Sequence, residues 1–259
     1  MLIVDAHTHL GLAEFIVKPI PAEKLAKPAF QDKTTQRVEE LLSSMDRNSI
    51  SRAVVFPFPL AEADADLANG YVLEAWKRYP DRIIPFALLD EKPEYWLEKG
   101  FRGFKQHFLL EPERFDLSRA YPAIAAAGKP LMAHFPTYKI VESAEAILSQ
   151  APDIKLIIAH FGRCKPNTGA CVTENLEALK KYPNVYFESS TVMDWEVLAG
   201  ALEIVGPERI CFGSDLPFGS KESPNPQGVE IEVIKKAFKG EKNQKQIFSK
   251  TILKLLGEE

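Results

Sequence analysis

The sequence is short of cysteine, of long apolar runs, of excess charge and of histidine, and each scarcity narrows the reading. Only three cysteines occur in 259 residues, Cys164, Cys171 and Cys211. A small odd number argues against a secreted disulfide framework and for a reducing cytoplasm. Cys211 falls in an apolar run and is expected in the core. Cys164 and Cys171 flank one polar loop, where they can bridge or help bind something; unpaired thiols are the favoured expectation. No apolar run approaches the roughly 20 residues that cross a bilayer, so no membrane partner is expected. The first residues carry neither a basic stretch nor a small-residue cleavage site, so a signal peptide is not expected. The net charge is only −4. With no basic stripe, nucleic acid is not an expected partner.

What is present is ordinary for a soluble globular protein, with 46% hydrophobic and 26% charged residues. Apolar strand patterns and helix patterns alternate from end to end. Eight strands are predicted, at Leu2–His7, Arg52–Phe56, Ile83–Leu88, Phe101–His107, Pro130–His134, Lys155–His160, Val185–Glu188 and Arg209–Gly213. Each is followed by a helical pattern, and a last helix is predicted over Gln246–Leu256. The strands read as apolar on both faces, as in a parallel sheet covered by helices. Eight such units in about 250 residues predict a (β/α)₈ TIM barrel, one α/β domain over residues 1–259. A doubly wound open sheet is the rival, but no Gly-x-Gly-x-x-Gly follows the first strand. The proline-bearing segment from Gly11 to Lys33 is too long for an ordinary connection and is expected to fold over the strand ends as a lid.

The five histidines, His7, His9, His107, His134 and His160, all fall at or just past the C-terminal ends of predicted strands. Barrel active sites are built at those ends. His7 and His9 share a face by alternation, with Asp5 expected on that face below them. Asp215 follows the eighth strand in Phe-Gly-Ser-Asp, and strands eight and one are neighbours in a closed barrel. His7, His9, His134 and Asp215 then offer four nitrogen and oxygen ligands to one divalent ion, with room for a water. Zinc is expected first, with manganese as the second candidate. Asp215 can both touch the ion and take a proton from the water. His160 can act as a second base, a hydrogen-bond donor to substrate, or another ligand.

The motifs Val-Asp-Ala-His-Thr-His, Arg-Tyr-Pro-Asp-Arg-Ile-Ile-Pro-Phe-Ala, Gly-Phe-Arg-Gly-Phe-Lys-Gln-His, Ala-His-Phe-Gly and Phe-Gly-Ser-Asp-Leu-Pro resemble the amidohydrolase superfamily, in its amidohydrolase-2 branch of metal-dependent hydrolases and non-oxidative decarboxylases. The resemblance implies metal ligands at His7, His9, His134 and Asp215 and a catalytic histidine at His160. It also implies a strand-four lysine at Lys105. That lysine is a carboxylated bridge in two-metal relatives and commonly unbridging in this branch, so one ion is favoured. Lys105 shares a face with His107, and it and Arg163, just past strand six, are candidates to grip an anionic substrate. His107 is a candidate for contact at the rim. Glu188 is a candidate to support a ligand, and Asp194 to cap the following helix.

The expected activity is hydrolysis of a small, anionic, carbonyl-containing molecule by metal-activated water at the C-terminal mouth of the barrel. The alternative is a lyase that decarboxylates an aromatic or unsaturated acid. A His-x-Gly-Arg like that at 160–163 occurs in metal-independent lactonase relatives, which makes lactonase chemistry a third reading; a binding barrel without activity is a fourth. The expected partner is a small-molecule substrate. A homodimer is compatible with the chain, although no segment announces an interface.

Overall fold

The computed structural model describes residues 1–26, 35–110, 115–163, 168–219 and 223–258. Among them, eight parallel strands pair in sequence order into a barrel. They are β1 (Val4–Leu10), β2 (Arg52–Pro57), β3 (Ile83–Leu88), β4 (Gly103–His107), β5 (Pro130–His134), β6 (Lys155–Ile158), β7 (Val185–Glu188) and β8 (Ile210–Cys211). The helices are α1 (Ala22–Leu25), α2 (Val38–Arg47), α3 (Ala65–Arg78), α4 (Pro93–Glu98), α5 (Ala120–Ala126), α6 (Ile140–Gln150), α7 (Thr168–Leu179), α8 (Trp195–Val205), α9 (Pro226–Ala237), α10 (Glu241–Lys245) and α11 (Thr251–Leu256). Three strands, β3, β5 and β7, have the bounds read from the sequence. The predicted last helix is two consecutive pieces, a π-helical turn over Gln246–Lys250 and α11, and α10 runs directly into it from Glu241.

Alternation along the strands sorts the core into two layers. Val4, Val54, Phe56, Ile84, Phe86, Met132, Ile157 and Cys211 fill the barrel interior together with Ile252 and Leu255 of α11. The opposite faces, including Ala53, Val55, Phe104, Leu131, Leu156, Val185 and Phe187, pack against the helices. The closing helix therefore plugs the N-terminal end. Glu258 ion-pairs there with Arg52 and, at 2.9 Å, with Arg102; the Lys155 ammonium donates to the Leu255 carbonyl at 3.0 Å. Interior space is tight at Gly103, where an added Cβ would overlap the Phe86 ring.

The sheet closes between β8 and β1 without a long ladder. Ala6 N donates to Phe212 O, Asp215 N to His7 O and His9 N to Leu216 O, each at 2.8 Å. The β1–β2 register shifts between Asp5 and Thr8, so one extra residue of β1 is accommodated as a bulge. The bulge corrects one expectation. Val4, Ala6, His7 and His9 face the interior side, whereas Asp5 lies on the outer side, bonded to Gln227 of α9. Strand six is also shorter than expected. It stops at Ile158, and His160 and Phe161 take left-handed backbone angles, φ 56° and 52°.

The segment after β1 does pass over the barrel mouth. Ile16 and Ile20 pack with Phe58, Leu60, Leu109 and Phe218, and Lys24 clasps Glu62 at 2.6 Å. Its continuation through residues 27–34 lies outside the described residues. Cys211 is buried and free, as expected. Cys171 is disulfide-bonded, which corrects the expectation of unpaired thiols; Cys164 lies outside the described residues. No described helix is long and apolar enough to cross a membrane.

Because Phe86 fills the space beside Gly103, Gly103→Ala is expected to lower stability by about 1–3 kcal/mol through overpacking. Gly70→Ala in α3, where an added Cβ meets nothing within 4 Å, is expected to hold or raise it. Paired urea unfolding curves check both; equal effects would contradict this account of the interior.

Candidate active site

The mouth is assembled from strand ends whose backbone bends back on itself. His160, Phe161, Thr191 and Asp215 all have positive φ without being glycine. Such angles cost of the order of 1–3 kcal/mol each and cluster where side chains must be aimed rather than where packing is easiest. At Gly213 the close approach is between neighbouring strands: a Cβ would overlap the Glu188 carboxylate and lie 2.7 Å from His7 Cβ.

The hydrogen bonds assign the ring nitrogens. His7 Nδ1 lies 2.6 Å from Glu188 Oε2, and His9 Nδ1 lies 3.2 Å from the Pro57 carbonyl oxygen. Both Nδ1 atoms therefore donate, and both Nε2 atoms are bare. Those two lone pairs face one carboxylate oxygen, Asp215 Oδ1, at 3.2 Å from His7 and 3.1 Å from His9. Burial drives both imidazoles toward the neutral form, His7 most strongly. Burial alone would raise the Asp215 pKa, but the positive charge of its surroundings, Lys105 included, outweighs it and holds the carboxyl below its usual range. Three acceptors thus converge on one point. A divalent cation satisfies such a donor set, and the residues fit one.

His160 belongs to the same cluster. Ligating atoms of His7, His160 and Asp215 all lie within 4.8 Å of one another. Its Nδ1 sits 3.1 Å from the Ser190 carbonyl oxygen, with the Ser190 and Thr191 hydroxyls at 2.8 and 3.2 Å. Nδ1–H therefore donates and Nε2 is an acceptor. In the neutral ring this leaves His160 able to act as base or ligand rather than as hydrogen-bond donor to substrate. Nε2 faces His134 Nδ1 at 3.2 Å. His134 thus lies beside His160, and its own Nε2 is available. It also lines a cavity of about 630 Å³ with Phe108, Tyr121 and Tyr138.

Lys105 is fully buried, its ammonium 3.1 Å from His7 Nε2 and 4.6 Å from the centre of the Phe56 ring. Burial lowers its pKa to about 8, against the attraction of Asp215 and Glu188. His107 is at the rim, with its ring centre 4.3 Å from that of His134; its Nδ1 accepts from Leu109 N. Arg163 donates to the Thr191 carbonyl oxygen at 3.1 Å, and burial lowers its pKa although Asp215, Glu188 and Glu230 favour the charge. Glu188 is the support that its strand-end position suggested. It accepts from His7, from His160 N at 3.3 Å and from the backbone and hydroxyl of Ser190, and burial raises its pKa to about 7. Asp194 caps α8 by accepting from Glu196 N and Val197 N. Sequence reasoning missed the hydroxyls of Ser190 and Thr191, for which the polar string after β7 was the available signal. It also missed Phe218, whose ring stands edge-on to His9 at 5.1 Å.

A family model described as amidohydrolase matches residues 4–257. The chain belongs to the amidohydrolase family. The expected resemblance to its amidohydrolase-2 branch holds, as does the reading of an amidohydrolase-type enzyme. Solved structures share the barrel over nearly the whole length. One is a probable 2-pyrone-4,6-dicarboxylic acid hydrolase from Acinetobacter baumannii with citric acid bound, 18% identical, with a TM-score of 0.78 over 99% of this chain and 100% of that one. Another is an amidohydrolase from Burkholderia multivorans with bound zinc, 14% identical, TM-score 0.76, covering 99% of each chain. A third is 5-carboxyvanillate decarboxylase from Sphingomonas paucimobilis, 14% identical, TM-score 0.72, covering 99% of each chain. No protein of curated function matches the chain by sequence.

If Glu188 holds His7 Nδ1–H and so aims Nε2, Glu188→Gln is expected to weaken zinc binding about 10–100-fold while the protein stays folded. Competition with a zinc-sensitive dye checks this. Unchanged affinity would show that His7 is oriented by packing alone.

Proposed function

We propose that this chain is a hydrolase of a small, carboxylate-bearing carbonyl compound that works with one bound zinc ion. The observation that carries the proposal is the convergence of the bare Nε2 atoms of His7 and His9 on Asp215 Oδ1, inside a buried mouth. His7, His9 and Asp215 would hold the ion. His134 would complete the set through the Nε2 left free by its contact with His160; distance alone groups His160 in that place instead. When bound, the ion supplies Lewis acidity and a water of lowered pKa. The mixed nitrogen and oxygen donor set suits zinc, which a neighbour of the same fold also holds.

The protein's own groups supply the rest. Asp215, whose carboxyl is held ionised, would take the proton of the attacking water through its free oxygen. His160, aimed by Ser190, Thr191 and Glu188, would serve as the second base through Nε2 once the contact of that atom with His134 Nδ1 opens. Lys105 and Arg163 supply positive charge for a substrate carboxylate, and His107 contacts the substrate at the rim. The rings of Phe58 and Phe218, 5.1 Å apart above His9, exclude water from that side. The second reading is decarboxylation of an aromatic or unsaturated acid. The same cationic mouth would hold such an acid, and structures of both hydrolases and decarboxylases share the fold.

Protein purified with zinc supplied is expected to carry one zinc per chain, lost in His7→Ala and Asp215→Ala. Metal analysis of His134→Ala and His160→Ala decides which imidazole completes the set. Chelation is expected to abolish turnover and added zinc to restore it. Across a panel of carboxylated lactones, amides and aromatic acids, the products separate the readings. Uptake of ¹⁸O from labelled water into a new carboxylate is expected; release of carbon dioxide without that uptake would replace hydrolase by lyase, and turnover untouched by chelation would point to a lactonase that needs no metal.

A further inference from the structure

The inference here rests on the metal reading above and concerns a residue that cannot touch the ion. Asp5 lies on the outer side of β1, fully buried; three of the four hydrogen bonds to its carboxylate come from His7 and Ser214, which flank the metal site, and the fourth comes from Gln227 of α9. Oδ1 accepts from His7 N and from Ser214 N, each at 3.0 Å. Oδ2 accepts from Ser214 Oγ at 2.6 Å and from Gln227 Nε2 at 2.9 Å. Gln227 in turn accepts from Ser44 Oγ of α2 at 2.7 Å.

This arrangement answers a local problem. A bulge breaks the register of β1 at the residues that carry His7, and β8 is only two residues long. The seam between them has few ladder bonds, yet a functional site there needs His7 and Asp215 held to within about 0.5 Å of their working positions. One carboxylate oxygen shared by the backbone N–H of His7 and of Ser214, the residue before Asp215, fixes that distance directly. The other oxygen fastens the pair to two helices of the outer layer.

We propose that Asp5 is a positioning residue for the metal centre: it clamps the bulge carrying His7 to the turn carrying Asp215 and anchors both, through Gln227, to α9.

The test is a titration of metal-free protein with Co²⁺, followed by the visible absorption of the bound ion, which reports ligand geometry as well as affinity. Asp5→Ala is expected to weaken Co²⁺ binding about 10–100-fold and to change the visible band. Asp5→Asn is expected to recover part of both, because its amide oxygen still accepts two N–H groups and the Ser214 hydroxyl can turn to accept the amide N–H. Leu41→Ala, in the outer apolar layer, is expected to lower the melting temperature while keeping the wild-type affinity and spectrum. Wild-type affinity and band in folded Asp5→Ala, or an equal loss in Leu41→Ala, would overturn the proposal. Should Asp5→Ala not fold, Gln227→Leu carries the test: a loss of about 3–10-fold is expected, below that of a directly bonded partner, and no loss would overturn it. Wild-type protein that binds no Co²⁺ would overturn the metal reading, and this proposal with it.

Discussion

The site depends on lone pairs facing lone pairs. Two neutral imidazoles and an ionised carboxylate, all removed from water, present acceptors to one another at 3.1–3.2 Å. In a low-dielectric interior such an arrangement is unfavourable without a cation. Lys105 supplies one positive group 3.1 Å from His7, and burial brings its pKa down to about 8. A lysine held that way cannot bond both histidines and the carboxylate at once, and a divalent ion can. The tautomers suit the geometry to a metal ion: Glu188 accepts from His7 Nδ1–H, the Pro57 carbonyl from that of His9, and the Ser190 carbonyl from that of His160.

The barrel exists to hold these groups at the mouth with little freedom. Strands one, four and five and the turn after strand eight bring His7 and His9, Lys105, His134 and Asp215 to one mouth from opposite ends of the sequence. The interior below is filled by Phe56, Phe86, Met132 and the residues of α11, so the floor under the site does not yield. The left-handed backbone at His160, Thr191 and Asp215 is unfavourable locally and is held by the hydrogen bonds around it: Thr191 N to Glu230, Arg163 N to His160 O, and Asp215 N to His7 O. Placement of side chains outweighs local backbone preference here, as is usual where chemistry is done.

Much of this was legible in the sequence. Apolar runs that stop at histidine mark both the strands and the end of the barrel that carries the site. Alternation put His7 beside His9 and Lys105 beside His107, and closure of an eight-stranded sheet put Asp215 next to His7. Alternation failed at Asp5, because a bulge adds a residue without any signature in Asp-Ala-His, and every side chain on one side of it changes face. The end of strand six was misplaced for a related reason: Ala-His-Phe-Gly reads as a continued strand, and only Gly162 hints at the left-handed turn. The pairing of His134 with His160 is a product of barrel curvature, which no local pattern encodes. Cys171 was misjudged because a cysteine count constrains compartments on average and not individual bonds.

The central claim is that histidine nitrogen and aspartate oxygen at this mouth hold one zinc ion. X-ray absorption at the zinc edge of the purified protein tests it most directly. The account predicts a shell of nitrogen and oxygen at about 2.0–2.2 Å with the outer-shell pattern of two or more imidazoles. A sulfur shell at about 2.3 Å would place the ion on cysteine instead, and a shell of oxygen alone would place it outside the histidine cluster; either result would contradict the account.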